Sequence, residues 1–176
     1  KLRSTYEQYL SRVKGYRRNW ATPRCYVSYT PAQESYAQKL IPDLQDAGIY
    51  IVMDIERVQL SDYVLIFDTL SYRALYKAPT LAFSPDVKLI KNRLAKNKHH
   101  LLAIKLEGGG IASQHDLRVY KPGDFSDATH YPVNLSNLVL GLYAIPLNHA
   151  SFKPLRKSLH IQWEHTLCHL PTEVTT

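Results

Sequence analysis

Four short runs of this chain are almost continuously apolar: Arg24–Tyr29 (RCYVSY), Ile49–Met53, Tyr63–Phe67 (YVLIF) and Leu101–Leu106 (LLAIKL). Helical spacing fills much of the sequence between them. A strand buried on both faces reads as such a run, because neither of its sides turns to water, and intervening helices supply the crossovers that parallel pairing needs. The pattern predicts an α/β fold built on a parallel sheet. Leu117–Tyr120 (LRVY) is a short fifth strand in this reading.

The helices announce themselves through caps and stripes. Gln33–Ala47 carries Tyr36, Ala37, Leu40, Ile41 and Leu44 on one face and ends at Gly48, a residue suited to the left-handed position after a helix. Pro42 sits inside that stretch, lacks an N–H and is expected to bend or divide it. Ser84-Pro85-Asp86 is a helix start, with Ser as cap, Pro in the first position and an acid in the first turn, and that helix is expected to run to about Lys96. Tyr131–Tyr143 and Phe152–Trp163 read as two further apolar helices.

A length of 176 residues provides one ordinary domain core. No apolar run approaches the roughly 18–20 residues of a membrane span, and no signal peptide is recognisable at the start. Two cysteines, Cys25 and Cys168, make no disulfide framework, which fits a reducing, cytoplasmic setting. The net charge of +7 is uneven: residues 1–24 hold seven cations against one acid, whereas the remainder holds fifteen against fourteen. Leu2, Tyr6, Tyr9, Leu10 and Val13 recur at helical spacing within that basic segment, with the cations mostly on the other face. This predicts an amphipathic helix docked on the domain, rather than the basic stripe with interleaved aromatics of a nucleic-acid groove, so no DNA partner is expected.

Ligands of parallel sheets gather at the carboxyl ends of the strands. Here those ends are Ser28–Pro31, Asp54, Asp68–Ser71 and Glu107–Gly110. The chain has no GxGxxG, P-loop or internal repeat. Lys88, Lys91, Arg93, Lys96 and Lys98 form a run without an acid, read as a solvated helix face. His165, Cys168 and His169 share one face of a tail helix and could ligate a metal, but three ligands without a fourth leave that the weaker reading.

The stretch CYVSYTPAQESYAQKLIPDLQDAGIYIVMD resembles the opening of a Toll/interleukin-1 receptor (TIR) domain. SDYVLIFDTLSYRALY, LAFSPDVKLIKNRL and HHLLAIKLEGG are similar to its later strands and helices, and Arg118–Leu159 to the end of bacterial TIR domains in multidomain signalling or defence proteins. The resemblance covers about Arg24 to Leu159. It implies a flavodoxin-like three-layer sandwich with a central five-stranded parallel sheet. Residues 1–23 would then be an N-terminal basic amphipathic helix, 24–159 the TIR domain and 160–176 a C-terminal helical tail. One departure is plain: only Ile55–Ser61 separates Asp54 from Asp62, too little for the family's BB loop and the helix that follows it.

The resemblance also implies chemistry. TIR enzymes cleave the nicotinamide–ribose bond of NAD with a glutamate, and alignment on Leu89–Leu94 places Asp86 at that position. NAD would be a substrate, with no bound cofactor and no metal. The catalytic carboxylate would face the ribose and stabilise an oxocarbenium-like transition state. Read from spacing alone, Asp86 is equally a first-turn acid that complements the helix dipole. The family binds its nucleotide where Ser28, Tyr29 and Thr30 end the first strand. Asp54 could reach a ribose or be an ordinary turn acid, Tyr72 and Tyr76 could stack on a base, and Phe83 lies beside Asp86. Other TIR domains are the implied partners, through self-association. The alternative is an inactive TIR adaptor working only through such contacts. The expected location is the cytoplasm, or a host cytosol for a secreted effector.

Overall fold

Alternate residues of the central strands face opposite ways, and that alternation sorts the apolar side chains into two cores. The structure, a computed structural model, describes residues 2–16, 22–77, 84–96, 101–106, 119–120 and 124–168. Its strands are β1 (Arg24–Ser28), β2 (Tyr50–Val52), β3 (Tyr63–Asp68), β4 (Leu101–Lys105) and a two-residue β5 (Val119–Tyr120). All pairings are parallel and the order is β2-β1-β3-β4-β5, that of the flavodoxin-like layout. The sheet has four full strands rather than a complete five-stranded sheet, the expected short fifth being two described residues long. Val119 and Tyr120 add only a short edge pairing beside Leu101 and Leu102.

On one face, Cys25, Val27, Leu65, Phe67, Leu102 and Ile104 pack under α1 (Leu2–Tyr16), α2 (Glu34–Asp46), α5 (Tyr131–Leu142) and α6 (Lys153–Cys168). On the other, Tyr26, Val64, Ile66 and Leu101 meet α3 (Leu70–Lys77) and α4 (Ser84–Lys96). α2 ends as a Schellman motif: Gly48 N–H donates to the Gln45 carbonyl and Ile49 N–H to that of Leu44. Gly48 has φ +85°, and a Cβ there would stand 2.8 Å from the Tyr143 hydroxyl. Of the two effects expected of Pro42, division does not occur: α2 runs through it as one continuous helix, with the proline exposed.

The basic leading helix is integral to the fold. Tyr9 and Val13 are fully buried, and the Tyr9 hydroxyl donates to the Ser136 carbonyl at 2.6 Å. Thr5 bonds Gln162 on α6 at 2.8 Å, while Lys14 and Arg12 reach the carbonyls of Asp46 and Ser151. The boundary expected at 159/160 falls inside continuous α6. No described helix is long and apolar enough to cross a membrane.

Between β2 and β3 the chain makes only a 3-10 turn, Ile55–Leu60. The α4 basic run is not simply a solvated face. Arg93 is buried, and its Nη2 donates to the Ser61 and Asp62 carbonyls at 2.6 and 2.9 Å, pinning this turn to α4. Lys91 donates to the Tyr76 carbonyl and lies over the Tyr76 ring. Lys98 lies outside the described residues.

Candidate functional site

In this strand order the connections from β1 and β3 depart on opposite sides of the sheet, which opens a crevice at the carboxyl ends of these two strands. A hydroxyl network fills its floor. The Ser28 and Tyr72 hydroxyls meet at 2.7 Å and both side chains are buried. Thr69 caps α3 by accepting from the Tyr72 N–H at 3.1 Å. Its hydroxyl also lies 3.0 Å from that of Ser71, which in turn is 3.4 Å from that of Thr30. Beneath them Asp68, the last residue of β3, accepts from Arg73 Nε at 2.7 Å in a largely buried ion pair.

Beside this network, at the ends of β1 and β2, lies a cleft of about 300 Å³. Ser28 and Tyr29 form part of its wall, with Glu34 from the first turn of α2, and Ile41, Ile51 and Met53 completing it. Tyr29 is fixed from two directions. Its ring stacks on Phe67 at 5.3 Å between centroids, and its hydroxyl donates to Glu34 Oε2 at 3.0 Å. Burial, the bond to Glu34 and that carboxylate's charge all raise the Tyr29 phenol above its ordinary value, so it remains a donor at neutral pH. Such a cleft offers apolar walls, a phenol and a carboxylate. It lies at the lower end of the size range for small-molecule sites.

Of the site residues expected from sequence, Ser28 and Tyr29 line the cleft, and Ser28 also joins it to the hydroxyl network. Thr30 is buried and belongs to the network rather than to the cleft wall. Asp54 is exposed and caps the 3-10 turn, accepting from the Glu56 N–H at 3.0 Å, so its turn role is the one observed. Tyr72 and Tyr76 are core residues, 2% and 8% exposed, and not an open platform for stacking on a base. The Asp86 backbone is the third residue of α4; its side chain, and the whole of Phe83, lie outside the described residues.

Sequence reasoning marked the Asp68–Ser71 strand end but gave Thr69 and Ser71 no individual role, and it missed Glu34. The signal for Thr69 and Ser71 was a hydroxyl pair straddling the start of α3, a helix left unassigned. For Glu34 it was an acid in the first turn of a helix leaving a strand end. Among the described residues, no group of three or more His, Cys, Asp or Glu side chains is placed to hold a metal ion, and the His165 side chain is exposed on α6. Compared with family models, curated proteins and solved structures, the chain matches none of them.

Proposed function

We propose that this chain is a TIR-type domain that binds NAD at the carboxyl ends of β1 and β2 and hydrolyses its nicotinamide–ribose bond. The observation that carries this reading is the cleft lined by Ser28 and Tyr29, at the strand end where the TIR resemblance expects the nucleotide. Asp86 is the proposed catalytic carboxylate. α4 precedes β4, which runs parallel to β3, so a helix antiparallel to the sheet would bring its first turn to the carboxyl end. A carboxylate there would hold ribose hydroxyls and stabilise positive charge as the C–N bond breaks. Nicotinamide leaves as a neutral group, and water adds to the ribose carbon, giving ADP-ribose and a proton. Capture by a nitrogen of the adenine instead would give a cyclic product. Self-association with other TIR domains would raise activity, and the setting would be cytoplasmic.

A second reading, an inactive adaptor acting through TIR–TIR contacts, has its own observation. Edge strand β2 exposes Tyr50 (58%) and, just past its end, Met53 (76%), and the turn that follows has no room for the family's loop and helix. NMR titration with NAD separates the two. NAD binding should shift the amides of Ser28, Tyr29 and Met53 in a saturable way. An unaltered spectrum at saturating NAD would contradict the enzyme and leave the adaptor.

A further inference from the structure

The cleft contains one carboxylate that the reaction above leaves unused. Among the described residues lining it, Glu34 is the only acid and there is no lysine or arginine. α2 leads from β1 back to the parallel β2, so its first turn, with Glu34, stands at the carboxyl end of the sheet. Glu34 Oε2 accepts from Tyr29, and Gln38 Nε2 stands 3.5 Å from Oε1. A carboxylate has about four acceptor positions, so capacity remains for a ligand with paired donors. Tyr29, packed on Phe67, holds the group in place.

The two cores put α2 and α4 on opposite faces of the sheet. A dinucleotide crossing the end of β1 would therefore meet α2, with Glu34, on one side of the sheet. Paired ribose hydroxyls are the donors a carboxylate receives well, whereas a 2′-phosphate needs a cation, and the described residues of the cleft wall include none.

We propose that Glu34 is a specificity-determining residue. It accepts the 2′- and 3′-hydroxyls of the adenosine ribose and rejects nucleotides carrying a 2′-phosphate, with Tyr29 as its positioning residue. This rests on the NAD reading of the cleft. A 2′-phosphate would bring roughly −1.5 to −2 charges against the carboxylate.

The test is calorimetric titration of wild type, Glu34→Gln and Tyr29→Phe with NAD and with NADP, alongside nicotinamide release from each. Glu34 is exposed, so Glu34→Gln keeps the fold. Wild type should bind NAD at least about tenfold more tightly than NADP, because like charges in contact are strongly disfavoured. In Glu34→Gln that ratio should fall to within about threefold, read from the two dissociation constants. Tyr29→Phe should raise KM for NAD with little change in kcat. Equal binding of the two nucleotides by wild type, or an unchanged ratio in Glu34→Gln while NAD still binds, overturns the role of Glu34 and leaves the NAD reading intact. Failure of wild type to bind either nucleotide overturns both.

Discussion

The Ser28 and Tyr72 hydroxyls, 2.7 Å apart and buried, tie the end of β1 to the first turn of α3 across the crevice of the sheet. This contact sets the floor on which the proposed nucleotide site rests, since Ser28 also faces the cleft. Removing either hydroxyl takes away the hydrogen bond between two largely buried side chains. Tyr72→Phe and Ser28→Ala should each cost about 1–2 kcal/mol. The double variant should cost less than their sum, by at least about 0.5 kcal/mol. Urea unfolding of the four proteins measures this, and strict additivity would show that the two hydroxyls do not act as a pair.

Tyr9 tests whether the basic leading helix is part of the domain. Its ring is fully buried against Phe152, edge to face, and its hydroxyl reaches the Ser136 carbonyl. Tyr9→Phe should cost about 1 kcal/mol for the lost hydrogen bond, and Tyr9→Ala about 3–5 kcal/mol for the cavity. A detachable tail would predict no loss from either, as read by thermal unfolding.

Cys25 should be chemically silent in the folded protein. It is fully buried and its thiol is pushed up to about 12, mainly by burial, so almost no thiolate forms at neutral pH. In a Cys168→Ser background, alkylation by iodoacetamide should be at least about a thousandfold slower under native conditions than in denaturant, tracking the population of opened chain. Rapid native labelling would contradict the burial.

Asp124 gives the acid limb of stability a specific contributor. Hydrogen bonds from Ser126, then the one from Lys105, hold its carboxyl down at about 2. Because the folded value lies below the unfolded one, its contribution is complete above about pH 4 and is lost as pH falls through 4 toward 2. The group is half exposed, so the contribution is below about 1 kcal/mol. Asp124→Asn should lower Tm slightly at pH 6, and its difference from wild type should close by about pH 2. A gap that widened on acidification would reverse the assignment.

The strands were legible because β1, β3 and β4 are apolar on both faces, which leaves few other structures for YVLIF or LLAIKL. The start of α4 at Ser84 and the glycine after α2 were equally readable, since Ser-Pro-Asp and Ala-Gly carry their geometry in their chemistry. α3 was not assigned, because its eight residues hide two core tyrosines, Tyr72 and Tyr76, that looked available for a ligand. The site was half legible. Ser28 and Tyr29 are adjacent in sequence at a strand end, whereas Glu34 comes to Tyr29, and Thr69 and Ser71 to Thr30, only once the chain folds. Arg93 was misread for a related reason: a cation in a run of cations carries no sign that its head will turn inward to two carbonyls.

The central claim is tested most directly by nicotinamide release from NAD at high protein concentration, comparing wild type with Asp86→Ala and Asp86→Glu. The account predicts slow release by wild type, none from Asp86→Ala, and faster release from Asp86→Glu. The gain could reach about a hundredfold if the missing methylene misplaces the carboxylate by roughly 1 Å. Release that persists unchanged in Asp86→Ala would contradict the catalytic assignment. Absence of release from all three, even at assembling concentrations, would contradict the enzyme itself.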